Sequence, residues 1–381
     1  MHDILPFAAL IYLMPAMPGF AKLEHAQAPW QTALITPEDP MTDIPDQMRA
    51  LMLTARDRLE LQTVATPRPG PGQVLVRLAA SPINPSDLMT VKGEYGIGKA
   101  YPLVPGLEGS GIVVASGPGL MGRVLMGKRI ACAGGQGGMW ADYAVVPATS
   151  CVPLPAEVSL GSGAMSAVNP LTAIALVSLA RKGGHRAAVS TAAGGQLGRM
   201  IRKRAREKGL EIINVVRRAE QVDAIRAEGA AYVLNETDPD FDADLAGLCK
   251  SLRCRFAFDA VGGSMTYRLA EALKAQSEIL VYGALAQKAV SLHPGTLIFK
   301  EVTVRGFWLS KWLPRKSLPE VVWHARAATR ALRGGFVVSE VARIVPMEEA
   351  LAGLKAYEAD MSAGKTLIRM GTQDLGVGPT A

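Results

Sequence analysis

The sequence predicts an α/β protein with two unlike domains. A glycine-rich turn, HRAAVSTAAGGQLG at residues 185–198, lies between a short apolar run at 187–189 and a long helical pattern, and a second apolar run, EIINVV, follows at 211–216. Upstream of this unit, short strand-like segments recur between turn residues. Downstream, strand and helix patterns alternate. A chain of 381 residues accommodates such a pair, and a composition of 49% apolar and 20% charged residues can build a substantial core.

The net charge of +7 is concentrated in one helical pattern at 199–208, so it calls for an anionic ligand at most and no nucleic acid. The four cysteines, Cys132, Cys151, Cys249 and Cys254, form no disulfide framework and fit a reducing, cytoplasmic setting. Cys249 and Cys254, at a helix–strand junction, read as partly buried thiols. Residues 1–46 read as an extension, either disordered or preceding a true start at Met41 or Met48. Its apolar patch is interrupted by Pro6 and Pro15, lacks a preceding basic stretch and is too short for stable membrane insertion.

Residues 47–163 form the first expected domain. Strands are expected at 49–53, 59–64, 73–80, 112–115, 129–133 and 141–146, with turns every few residues, as in a small β-barrel. Pro82 and Pro85 pin a loop around Asn84. Tyr95 stands between Gly93-Glu94 and Gly96 on a tight, exposed loop that could bring a phenol to a substrate carbonyl; the alternative is a tyrosine packed on its own domain. The histidines are scattered, Leu107 precedes Glu108 where a metal ligand could stand, and no cysteines cluster, so a zinc site is not expected.

The second expected domain spans 164–335. A helix at 164–179 carries Asn169-Pro170-Leu171-Thr172-Ala173. The turn Ala193-Gly194-Gly195-Gln196-Leu197-Gly198 then lets the backbone approach a pyrophosphate and aims free helix N–H groups at it. Gln196 stands where the usual fingerprint has glycine. The helix at 199–208 reads as a solvated charged face. At the end of the strand 211–216, where an acid would bind ribose hydroxyls, stand Arg217 and Arg218. An arginine fork fits a 2′-phosphate, so NADPH is expected over NADH. The alternation continues with strands at 231–234, 255–261, 278–282 and 302–306. Gly262 and Gly283 lie at carboxyl ends, Tyr282 precedes Gly283, and Phe307-Trp308 offers an apolar pocket wall or a subunit contact. A helix at 318–332 follows. Residues 336–371 then return to short strands, at 336–344 and 366–370, around a helix at 348–359, completing the first domain. Residues 372–381 read as a loose tail.

These stretches resemble the zinc-free branch of the medium-chain dehydrogenase/reductase superfamily over about residues 48–370. The likeness is strongest to the mitochondrial-type trans-2-enoyl-CoA/ACP reductases, with quinone oxidoreductase-like relatives next. It is carried by Ile83-Asn84-Pro85-Ser86-Asp87 with Gly93-Glu94-Tyr95-Gly96, by Asn169–Ala173, by Ile213–Arg217, and above all by Leu297-Ile298-Phe299-Lys300 with Val304-Arg305-Gly306-Phe307-Trp308-Leu309-Ser310. The resemblance implies a GroES-like barrel, a Rossmann domain, an active site in the cleft between them, and a homodimer formed through the sheet edge of the cofactor domain. It places Tyr95 on the substrate carbonyl, with Asn84 and Asn169 as further polar groups of the cleft.

The expected reaction is NADPH-dependent reduction of the carbon–carbon double bond of an enoyl thioester carried on CoA or acyl carrier protein. Tyr95 would face the developing enolate, with Tyr95 or a linked water passing on a proton. Two alternatives stand beside it: an NADPH:quinone, enone or alkenal reductase of the same superfamily, and a cofactor-binding protein without catalysis. A strongly basic cleft mouth would favour the acidic carriers.

Overall fold

The computed structural model describes residues 44–96, 100–134, 137–312, 315, 320, 340–361 and 363–379. It opens with an antiparallel hairpin, β1 (Gln47–Ala55) and β2 (Arg58–Ala65), whose alternating apolar residues face inward. β3 (Gln73–Pro82) leads into helix α1 (Pro85–Val91), and then come β4 (Glu108–Ser116), helix α2 (Leu120–Leu125), β5 (Arg129–Ala133), β6 (Tyr143–Pro147) and β7 (Cys151–Pro153). The segment around Asn84 is thus the start of a helix rather than a loop. Pro85 occupies its first position, where a missing N–H costs nothing, and Asn84 and Asp87 exchange side-chain and backbone hydrogen bonds in a capping box.

A short helix α3 (Leu160–Ala164) precedes the expected one, and α4 (Val168–Lys182) takes the place of the helix expected at 164–179. The parallel sheet follows: β8 (Ala187–Ser190), α5 (Gln196–Glu207), β9 (Glu211–Val216), α6 (Ala219–Ala227), β10 (Tyr232–Asn235), α7 (Phe241–Ser251), β11 (Phe256–Asp259), α8 (Ser264–Ala272), β12 (Glu278–Val281), α9 (Pro294–Phe299), β13 (Thr303–Gly306) and α10 (Leu309–Trp312). Its strand order is β10-β9-β8-β11-β12-β13, all parallel, so the order reverses beside β8, where the glycine-rich turn emerges. Both faces are covered by helices, and the strands accordingly read as continuous apolar runs. α5 begins at Gln196, earlier than the charged run suggested. Its charged face is not wholly solvated, because Arg202 is buried and donates to Glu228 Oε2 at 2.6 Å.

The chain then returns to the first sheet with β14 (Val341–Pro346), α11 (Ala350–Ala359) and β15 (Lys365–Arg369). β15 pairs antiparallel with β3, giving the order β14-β15-β3-β4-β5-β7, with β6 also on β3. The helix expected at 318–332 and the residues of the extension up to 43 lie outside the described residues. The last described stretch is not a loose tail: Leu375 is buried, and its carbonyl accepts from Gly161 N at 2.8 Å. All four cysteines are free and buried, including Cys249 and Cys254, which were expected to be partly exposed. Among the described residues no helix is long and apolar enough to cross a membrane.

Candidate active site

A cleft of about 280 Å³ lies between the barrel sheet and the carboxyl edge of the parallel sheet. Asn84, Tyr95, Asn169, Thr172, Gly195, Gln196, Leu197, Gly198, Tyr282, Gly283, Phe307 and Trp308 all line it. Ala193, Gly194, Arg217, Arg218 and Gly262 do not; they stand behind the turn or at neighbouring strand ends.

Tyr95 is half-buried rather than exposed. Trp308 Nε1 donates to its phenol oxygen at 2.8 Å, and the two rings meet edge to face with centroids 5.6 Å apart. An indole N–H can only donate, so the phenol accepts there and keeps its own O–H for another partner. Burial raises the Tyr95 pKa above its ordinary value, and the neighbouring Asp87 adds to this; the Trp308 hydrogen bond opposes it. The flanking Gly96 has φ +77°, and a Cβ there would stand 3.2 Å from Trp308 Cη2. Glycine therefore serves both the turn and the close approach of the tryptophan.

On the cofactor side, α5 starts at Gly195 without a side-chain cap, so the amides of its first turn face the cleft unpaired within the helix. Gly198 is dictated by packing, since a Cβ would lie 2.4 Å from the carbonyl oxygen of Ala193. Gln196 Oε1 is buried with no hydrogen-bond partner among the described residues. Arg217 is exposed at the end of β9. Arg218 is half-buried, 3.4 Å from Glu220 and 3.6 Å from Asp360 at the C-cap of α11.

Three further positions went unread in the sequence. Asp259, ending β11, is fully buried. Its Oδ1 accepts from Thr191 Oγ1 at 3.0 Å and from Val261 N at 2.9 Å, and its Oδ2 accepts from Thr266 Oγ1 at 2.6 Å, which shapes the Gly262 turn. In the barrel, Glu108 and Lys365 are buried. Asn84 Nδ2 donates to Glu108 Oε1 at 3.2 Å, Lys365 Nζ donates to Asn84 Oδ1, and Glu108 Oε2 accepts from the amides of Ala167 and Val168 at 3.0 and 2.8 Å. Burial pushes the Glu108 pKa up, while Lys365 and these hydrogen bonds hold it down. The only hint in the sequence was Glu108 following Leu107. Among the described residues no group of three or more His, Cys, Asp or Glu could hold a metal ion.

A small barrel sheet joined to a parallel dinucleotide-type sheet, with a cleft at the strand-order reversal, defines a two-domain nucleotide-dependent oxidoreductase. The comparisons narrow this further. Residues 70–156 match the alcohol dehydrogenase GroES-like domain, and residues 197–325 match the zinc-binding dehydrogenase family. A Mesorhizobium loti protein assigned as a candidate NADPH:quinone reductase is 36% identical. The match covers 86% of this chain and all of that one, with a TM-score of 0.79. The mitochondrial enoyl-[acyl-carrier-protein] reductase of Bos taurus is 29% identical over 320 residues, 82% of this chain and 85% of its own length. The Homo sapiens enzyme of the same name is 28% identical over 303 residues, 78% of this chain and 81% of its own.

The chain belongs to the zinc-independent medium-chain dehydrogenase/reductase superfamily, and as such it is an NADPH-dependent oxidoreductase. The residues fit that cofactor: an uncapped helix start, an orphaned buried amide oxygen on Gln196 and two arginines beyond β9 supply what a pyrophosphate, a nicotinamide and a 2′-phosphate require. The expectation of a cytoplasmic protein is corrected by the Bos taurus and Homo sapiens relatives, which are named as mitochondrial enzymes.

Proposed function

We propose that the chain reduces the carbon–carbon double bond of a 2-enoyl thioester, carried on CoA or acyl carrier protein. Residues 47–163 and 336–371 form its substrate side and residues 164–335 its cofactor side. The observation that carries this reading is the Trp308–Tyr95 hydrogen bond, which occupies the phenol oxygen as acceptor and leaves its O–H to donate into the cleft. NADPH, when bound, supplies the hydride. Tyr95 meets the carbonyl oxygen where enolate charge develops, and a donor fixed in advance stabilises that charge without reorganising. Asn169 and Thr172 on α4 hold the nicotinamide side, and the first turn of α5 holds the pyrophosphate. Arg217 and Arg218 take the 2′-phosphate, Arg218 on release from Asp360.

A second reading, reduction of a quinone or enone, is favoured by one observation. Among the described residues the charged ones lining the cleft are Lys92, Glu358 and Lys365, and Lys92 and Glu358 pair with each other, so this part of the lining is not strongly basic. Steady-state turnover of crotonyl-CoA, trans-2-enals and benzoquinone under NADPH decides between them. A kcat/KM for crotonyl-CoA well below that for benzoquinone overturns the thioester reading.

A further inference from the structure

Reduction of an activated alkene needs a proton at the α carbon as well as a donor at the carbonyl, and the floor of the cleft holds a group suited to give one. Lys365 lines the cleft yet is only 2% exposed, and among the described residues its hydrogen-bond partner is Asn84 Oδ1. Asn84 is itself fixed by Glu108, and Glu108 is anchored on the amides of Ala167 and Val168. Asp87, fully buried, accepts from Asn84 N at 2.8 Å through Oδ2, while its Oδ1 has no hydrogen-bond partner among the described residues. The cluster thus sets two carboxyl groups against one ammonium in a space that excludes water. A retained proton is what brings such a cluster toward neutrality.

We propose that Lys365 delivers the proton to the α carbon of the substrate, with Asn84 and Glu108 as positioning residues that hold its ammonium at the cleft floor. The inference rests on the substrate being an alkene conjugated to a carbonyl, as in the function proposed above. Hydride addition at the β carbon moves the π pair onto the α carbon and carbonyl oxygen. That pair takes a proton from Nζ: an α C–H bond forms, an N–H bond breaks, and the neutral amine regains its proton from solvent after product leaves. Tyr95 is the poorer acid, because burial strengthens its hold on its proton, whereas burial loosens the proton of Lys365 against the opposing pull of Glu108 and Asp87. The charged groups that act on Lys365 are Glu108 from β4 and Asp87 from α1; among the described residues Lys92, Tyr95, Tyr357 and Glu358 line the cleft with it. Among the described residues β3 and β14 contribute none to the cleft lining.

The test uses the full chain with NADPH and two substrates that need the same α proton, crotonyl-CoA and 3-buten-2-one. Wild-type kcat should fall at alkaline pH as the ammonium deprotonates. Lys365→Arg keeps the charge but cannot surrender a proton, so its kcat should drop about 100-fold or more and its alkaline fall should vanish. Its NADPH affinity, read by fluorescence titration, should stay within about threefold of wild type. Lys365→Met should lose turnover to a similar extent. Recovery of near-wild-type kcat by Lys365→Arg would assign Lys365 a purely electrostatic role and overturn the proposal. So would a loss of NADPH affinity in step with kcat, or a wild-type profile flat into the alkaline range, which needs no variant to fold. If 3-buten-2-one is turned over and crotonyl-CoA is not, the thioester reading fails while the enone data still judge Lys365. Turnover of neither overturns both.

Discussion

In the proposed reaction Tyr95 would act through a single hydrogen atom. Its oxygen is occupied by Trp308 and its ring is held edge-on, so Tyr95→Phe removes the O–H while leaving the packing. Loss of such a donor costs about 3–4 kcal/mol in the transition state, and kcat for crotonyl-CoA should fall roughly 100- to 1000-fold with KM little changed. Stopped-flow NADPH oxidation measures it, and near-wild-type turnover would remove Tyr95 from the chemistry. Asp87 shows the opposite use of burial. Its pKa is raised from 3.8 to about 7, chiefly because it is buried, with the adjacent Glu108 adding to the shift. The folded state therefore keeps a proton that the unfolded chain has already released. This contribution to stability is complete below the unfolded value and is lost as pH rises through the folded one. Urea unfolding should accordingly show stability declining from about pH 4 to about pH 7, and Asp87→Asn should flatten that slope. An unchanged slope in Asp87→Asn would mean that other groups govern it.

At the scale of elements, what could be read in the sequence was what lies close along the chain. The glycine-rich turn, the apolar strands of the parallel sheet and the absence of an acid after β9 are local patterns, and the cleft is built around them. The buried cluster of the barrel was not legible, because Lys365 and Asn84 are 281 positions apart, and Tyr95 and Trp308 are 213 apart. Only folding brings those pairs together, and a lone lysine in a strand pattern signals nothing. The capping box at Asn84 could have been found, since Asn, Pro and Asp at that spacing announce a helix start; the two prolines drew the reading toward a loop. The strand-to-helix unit also carries a prediction of its own. Replacing Arg217 and Arg218 with Ala should raise KM for NADPH about tenfold or more, at 1.5–3 kcal/mol for each charged hydrogen bond, and leave NADH almost unaffected. Steady-state kinetics with both cofactors checks it, and equal losses on the two would place the arginines elsewhere.

At the scale of the whole molecule, one border of the parallel sheet is left open among the described residues. β13 is its terminal strand and is largely exposed, and just before it α9 presents Ile298 and Phe299 at 65% and 84% exposure. Apolar side chains beside an unpaired strand suit a second copy of the chain, with the two sheets continuing across a twofold axis. A homodimer is expected in sedimentation or light scattering, and Phe299→Glu should shift it toward monomer. A wild-type monomer at micromolar concentration would remove the expectation.

The two walls of the cleft are joined by fastenings of unequal strength, and this governs how the molecule would breathe. One is the Glu108 carboxyl, whose Oε2 accepts from the amides of both Ala167 and Val168 and is sealed from water. Another is the half-buried contact between Tyr95 and Trp308, a single hydrogen bond. Two bonds shielded from competing water outlast one that water can reach, so the second seam should part while the first holds and acts as a pivot. In hydrogen–deuterium exchange, the amides of Ala167 and Val168 should rank among the slowest along the cleft, and the Tyr95 loop should exchange early and slow down when NADPH is added. Fast exchange at Ala167 and Val168 would move the pivot elsewhere. A door hung in this way would admit its guest from the tyrosine side, and in the proposed reaction the residue that meets the substrate carbonyl would also be the one that lets it in.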